Sequence, residues 1–273
     1  MRSDRFVYCF VFYSAFVIPL LNSQSSTQPV DFASSRPTGT IGRIDPVASQ
    51  EIASHRAKVA SSAPWTGMQG SGQIQYGNVQ DVYQATVTIF GTTKFRLDAQ
   101  APKGNMSIRI DDTYGMLQEA DGRTFPLVPE TAATGLFQFE LPRVPEFPDK
   151  ASCACSLIDH GMVTYNGQSF HQITYEFSLN QDYVEGQTPE TVTTDLFFDV
   201  TTKLLSKSSN LIRIDGAGNH EFQRVISYDD YRPVGDSLVP FQYTQTLNGQ
   251  KQWTLKLSDV QLNPGVPSNY FAF

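Results

Sequence analysis

Tyr228–Phe271 reads YDDYRPVGDSLVPFQYTQTLNGQKQWTLKLSDVQLNPGVPSNYF, and this stretch decides the fold class. Two runs of alternating apolar and polar residues flank Asn248-Gly249, the dipeptide that best fits a tight hairpin turn. Period-two alternation is the signature of a strand with one buried face. The register follows from side-chain matching. A turn of only Asn248-Gly249 puts Phe241, Tyr243 and Leu247 on a face with Gln252, Thr254 and Lys256. A three-residue loop, Asn248-Gly249-Gln250, aligns them instead with Trp253, Leu255 and Leu257. A one-residue slip moves every side chain to the other face, so burial selects the second register. That register predicts a turn carrying an extra residue.

The same period extends upstream. Strands are expected at Gly70–Tyr76, Val82–Phe90, Lys94–Gln100, Asn105–Asp111 and Tyr114–Glu119, separated by Gly-, Pro- and Asp-bearing turns. Pro129–Phe139 (PETAATGLFQF) predicts a short helix ending in Phe137 and Phe139, and the prolines of Pro142–Pro148 predict an irregular crossing. Strands resume at Ser156–Tyr165 and Gln168–Leu179 around Asn166-Gly167, and continue at Thr191–Val200, Leu204–Ile214, Glu221–Tyr231, Leu238–Leu247 and Lys251–Leu262. The Asn166-Gly167 turn pairs Tyr165 with Gln168 and Met162 with His171. It places Ile158, His160, Met162, His171, Ile173, Tyr175 and Phe177 on one inward face.

Before the strands, Asp45-Pro46 supplies an N-cap and a proline at the first helical position. A helix over Pro46–Ser62 with Ala48, Ile52 and Val59 on one stripe follows. Ten or eleven of these twelve candidates are expected to persist, and long strands joined in sequence predict a mainly β, incomplete (half) antiparallel barrel of about 10–11 strands, with helices covering its concave face.

The first residues resemble an export signal. Arg2 and Arg5 precede the apolar stretch Phe6–Leu21, with small residues near Ser23. The expected organisation is a signal peptide at 1–23, a flexible linker at 24–45 and one β domain at 46–273. A periplasmic or secreted location follows, and Cys9 lies too early for lipid attachment at the cleavage site. The formal charge is −7, and removing Arg2, Asp4 and Arg5 takes it to −8. That balance disfavours nucleic acid, whose phosphates attract basic surfaces. Cys153 and Cys155 form a Cys-Ala-Cys that predicts a local disulfide staple, in a geometry that is strained at this spacing.

The chain carries no Gly-x-Ser-x-Gly elbow, P-loop, HExxH or dinucleotide fingerprint, so no catalytic residue, metal site or cofactor is nominated. His160 and His171 are expected as diagonal neighbours roughly 7–8 Å apart on the inward hairpin face. They read first as two half-buried histidines with hydrogen-bond partners of their own, and in a second reading as the polar spots of a mostly apolar pocket. Asp111-Asp112 and Asp229-Asp230 point to opposite faces of their strands and form no acid–base pair. Trp65 and Trp253 keep open a carbohydrate-active or carbohydrate-binding β-sandwich, and a structural cell-envelope module is a further alternative.

Lys94–Glu119 (KFRLDAQAPKGNMSIRIDDTYGMLQE) resembles a segment of the LolA-like superfamily of periplasmic lipoprotein carriers and lipid-binding proteins. It matches in its Phe-Arg strand, Pro-containing turn and following strands. Pro129–Phe139 stands where that family has a lid helix, and the ending with YDDYRPVGDSLVPF and QLNPGVPSNYF is similar as well. The resemblance spans about residues 46–271. It implies a half-barrel holding acyl chains beneath helices, acting as a monomeric, non-enzymatic binder of lipid or lipoprotein acyl chains, with a cell-envelope protein as a further partner. Ile158, His160, Met162, His171, Ile173, Tyr175, Phe177 and Trp253, with Phe137 and Phe139 from the lid, are the expected ligand-lining set. The family's Asp-Gly-Lys turn is replaced by Asp111-Asp112-Thr113-Tyr114-Gly115, and its cavity arginine is not carried over to Arg96.

Overall fold

A computed structural model of the chain describes residues 42–59, 66–77, 81–91, 94–111, 114–127, 155–165, 167–178, 191–213, 221–267 and 269–272. The expected export signal, most of the linker, Trp65, the expected helix at 129–139, the crossing at 142–148 and Cys153 lie outside the described residues.

Helix α1 spans Pro46–Val59. The first strands are β1 (Gly67–Tyr76), β2 (Val82–Phe90), β3 (Lys94–Ala101), β4 (Gly104–Asp111), β5 (Tyr114–Gln118) and β6 (Thr124–Leu127). The second group is β7 (Cys155–Tyr165), β8 (Gln168–Ser178), β9 (Thr191–Asp199), β10 (Leu205–Arg213), β11 (Glu221–Val234), β12 (Ser237–Leu247) and β13 (Gln250–Leu262). All belong to one 13-stranded sheet in the order β6-β5-β4-β3-β2-β1-β13-β12-β11-β10-β9-β8-β7. All twelve candidate ranges form strands, where ten or eleven were expected, and β6 makes the total 13. Short β6, which contains Pro126, is the strand that alternation alone does not reveal.

Two meanders make up this sheet, β1–β6 and β7–β13. The pairing of the first strand with the last joins them, Ile74 opposite Leu255 and Tyr76 opposite Trp253. The result is an incomplete antiparallel barrel with β6 and β7 as its edges. Backbone before the helix covers the β7 edge. Leu157 N–H donates to Arg43 O at 2.8 Å, and Asp45 N–H donates to Leu157 O at 2.9 Å. An uncovered edge invites pairing with other chains, so this short parallel contact protects it. Asp45 then caps α1 as expected, its Oδ1 accepting from Val47 N–H at 2.9 Å.

The closing hairpin has the expected register but not the expected turn. Tyr243 faces Leu255 and Gln245 faces Trp253. The turn itself is the two-residue Asn248-Gly249, with φ of 46° and 76°, the paired positive values of the tightest hairpin turn. A bulge where β12 passes Gln245/Thr246 supplies the one-residue offset. The extra residue therefore sits in the strand rather than in the loop.

The C-terminal segment returns across the convex face. Arg96 Nη1 donates to Tyr270 O at 2.7 Å, Arg109 Nη1 donates to Ala272 O at 2.9 Å, and the Arg96 guanidinium lies 4.5 Å from the Tyr270 ring centroid. Arg96 therefore stands outside the half-barrel, opposite in face to Phe95 and Leu97.

Candidate functional site

One face of the sheet is apolar across nearly its whole width. On β13 it presents Trp253, Leu255 and Leu257; on β1, Met68, Ile74 and Tyr76. It continues through Val87 and Ile89 of β2, Phe95 and Leu97 of β3, and Ile108 and Ile110 of β4. In the other direction it runs through Tyr243, Tyr228 and Leu196 to Ile173. All these side chains are buried and belong to one core. Burial lifts the phenols of Tyr76, Tyr228 and Tyr243 well above their ordinary range, so each stays neutral.

Helix α1 lies on this concave face and packs against β7 and β12. Its buried stripe is Ala48, Glu51, Ile52, His55 and Val59. The apolar members were legible in the sequence, but Glu51 and His55 occupy the same stripe by helical spacing. Both tie the helix to the sheet. Glu51 Oε2 is 3.5 Å from His171 Nδ1 on β8, and both Glu51 oxygens are 3.2 Å from Lys203 Nζ. On its far side, His171 Nε2 is 2.5 Å from Asp159 Oδ1 on β7. Leu205 N–H donates to His55 Nδ1 at 3.2 Å, and the His55 ring packs 5.2 Å from that of Phe198.

Burial pushes the Asp159 carboxyl up. The hydrogen bonds from His171 and from Gly161 N–H outweigh it and hold the group below the usual carboxylate range. A depressed carboxylate stabilises the fold above its unfolded-state pKa, and that contribution is lost as pH falls through the folded-state value. Asp159→Asn is therefore expected to lower Tm near pH 7. Its deficit against the wild type should close as pH drops below about 4. A constant deficit across a Tm series from pH 7 to pH 3 would contradict this role.

The β7–β8 hairpin alters the expected lining set. Its turn pairs Tyr165 with Gln168 and Met162 with His171, as the sequence predicts. Between Asp159 and Gly161 the register shifts, with Gly161 at φ 73°. The bulge leaves His160 as the extra residue and exchanges the faces of everything before it. Leu157 and Asp159 join His171, Ile173 and Tyr175 on the concave side, whereas Ile158 and His160 lie on the other face. His160 Nε2 there meets Thr174 Oγ1 at 2.7 Å, and the Thr174 hydroxyl donates to Asp195 at 2.5 Å. The expected His160–His171 pair does not form. A glycine inside a strand marks a bulge, and Gly161 was the residue that could have shown it. Met162 shares the face of His171 but is 61% exposed near the hairpin tip. Phe177 pairs with Cys155 through the backbone, and Cys155 is buried in the concave core. Phe137, Phe139 and Cys153 lie outside the described residues. Among the described residues no group of three or more His, Cys, Asp or Glu is arranged to hold a metal ion, and no helix is long and apolar enough to cross a membrane.

No family model matches the sequence, and no curated protein matches it by sequence. Solved structures do match in three dimensions. A candidate outer-membrane lipoprotein-sorting protein domain from Vibrio parahaemolyticus superposes with a TM-score of 0.51 at 13% identity, covering 82% of this chain and 95% of that one. The fold is LolA-like. A LolA superfamily protein from Nitrosomonas europaea gives a TM-score of 0.49 at 10% identity, covering 82% of this chain and 97% of that one. A DUF1329 family protein from Desulfovibrio piger gives 0.48 at 8% identity, with coverages of 82% and 95%. At such identities the likeness concerns the fold alone.

Proposed function

We propose that this protein is an exported, non-enzymatic binding protein that holds a lipid or lipoprotein acyl chain against the concave face of its half-barrel. The observation that carries this reading is the apolar wall running from β12 across the β13–β1 seam to β4. Each methylene taken from water onto such a wall contributes about 0.8 kcal/mol, so a chain of ordinary length gains affinity without a dense polar constellation. The LolA-like fold of a domain described for lipoprotein sorting points the same way. Residues 1–23 act as the export signal in this reading, and the β domain works outside the cytoplasm.

Native mass spectrometry of protein purified from a cell envelope, paired with uptake of a fluorescent fatty acid, tests it. A co-bound mass in the lipid range and saturable uptake are expected. A clean apo mass together with no uptake would remove the proposal and leave a structural envelope module as the better reading.

A further inference from the structure

The segment after β13 is held on the convex face in the manner of a bound peptide. Asn263, at φ 52°, turns the chain out of the sheet, and its Oδ1 accepts from Thr66 N–H at 2.6 Å. Further on, Tyr270 N–H donates to Pro267 O and Ala272 N–H to Asn269 O, so these amides bond within the segment rather than to a strand. The carbonyls of Tyr270 and Ala272 are taken by the side chains of Arg96 and Arg109. Tyr270 Oη meets Thr88 Oγ1 at 3.3 Å, and Lys94 Nζ lies 5.9 Å from the Phe271 ring centroid. Phe271 is 2% exposed, yet it stands apart from the continuous core of the concave face.

The receiving surface is built by the sheet itself. Arg96 Nε donates to Asp98 Oδ2 at 2.7 Å, Arg109 Nε to Ser107 Oγ at 3.3 Å, and Lys94 Nζ to Asp111 Oδ1 at 2.6 Å. Each cation is thus oriented by a neighbour on its own strand or the next one, without help from the segment. Such preorganisation lowers the cost of receiving a ligand. Arg96 and Arg109 are direct cross-strand partners, and like charges in that position repel. Carbonyl oxygens laid over them offset the repulsion, and the Tyr270 ring over Arg96 adds a cation–π contact. Two carboxylates already face the three cations, so the surface suits neutral backbone and aromatic faces better than a strongly acidic ligand.

We propose that this face of β2–β4 is a docking site for a separate polypeptide, read through two adjacent aromatic side chains and the carbonyls beside them. Residues 269–272 occupy it in cis as a built-in competitor. The proposal is independent of the lipid-binding reading, which concerns the opposite face. A segment joined to its own site competes at an effective concentration in roughly the millimolar range, so a partner docks only where it outcompetes that segment.

The test uses a fluorescent peptide of residues 267–272 (PSNYFA) and the full chain carrying Tyr270→Ala and Phe271→Ala, which frees the site while leaving the sheet residues of the cradle intact. Saturable binding is expected, about tenfold or more tighter than to the wild type. Adding Arg96→Gln and Arg109→Gln should abolish it. A folded Tyr270→Ala/Phe271→Ala variant that ignores the peptide, or binds it no better than the wild type does, overturns the proposal. So does a wild type that forms dimers by exchanging this segment, since a second copy is then the occupant. Should the variant fail to fold, hydrogen exchange on the wild type decides. Excess unlabelled peptide should raise the exchange of residues 266–272 several-fold, and unchanged exchange overturns the docking site.

Discussion

Gly72→Ala is expected to destabilise the protein by about 3 kcal/mol or more, whereas Gly70→Ala should cost markedly less. Both glycines lie on the concave face of β1, opposite Ala85 and Val87 of β2. Their surroundings differ. A Cβ at Gly72 would overlap the carbonyl oxygen of Lys256 and come within 2.7 Å of Leu257 Cα. Those are backbone atoms of β13, and they cannot move without disturbing the seam. A Cβ at Gly70 would meet Leu257 Cδ1 at 2.8 Å, the end of a side chain that can rotate away. The close approach at Gly72 exists because the β1–β13 register shifts between Ser71 and Gly72, with Ser258 Oγ donating to Ser71 O at 3.1 Å. A bulge bends a strand and brings the backbones together, so the absent side chain is part of how the two meanders join. Urea denaturation of the two variants beside the wild type decides the matter. Equal midpoints for Gly70→Ala and Gly72→Ala would show that β13 yields easily at this point.

Legibility of this fold in the sequence followed the range of the interaction. Asn166-Gly167 and Asn248-Gly249 are local signals, and the hairpins they announce formed where expected. Matching Tyr243 with Leu255 also worked, because burial of one face is a strong constraint on register. Bulges broke the simple parity. Gly161 reversed the faces of Ile158 and His160, and the offset at Gln245/Thr246 moved the extra residue from turn to strand. Each costs one residue and leaves the surrounding alternation looking normal. The β1–β13 seam has no turn to announce it, since it pairs segments almost 200 residues apart, as Met68 with Leu262 shows. At the site, the apolar residues of β8 and β13 were visible as a strip. The polar residues that matter, Glu51, Asp159 and Lys203, were not, because each is meaningful only beside a partner on another element. Glu51 and His55 lie on the expected helical stripe, but a polar side chain carries no burial signal in an apolar period.

Trp253→Ala is expected to cost about 3–5 kcal/mol, a large share of the roughly 5–15 kcal/mol that holds a typical domain folded. Trp253 is 2% exposed and stands at the seam, paired with Tyr76 on one side and Gln245 on the other. Removing the indole deletes both its buried apolar area and its contacts across the line where β1–β6 meets β7–β13. Neighbouring Leu255 and Ile74 are themselves fully buried, so the walls of the new cavity have little freedom to collapse. The cavity term then adds to the transfer term. Trp253→Phe, which keeps an aromatic ring in the same place, should lose far less. Thermal unfolding followed by circular dichroism tests both the size and the mechanism. If the seam makes one cooperative unit of the two meanders, the alanine variant melts in a single transition at a lower temperature. Two separated transitions, or a loss comparable to that of Trp253→Phe, would mean that the halves are stable on their own and that the seam contributes little to holding them together.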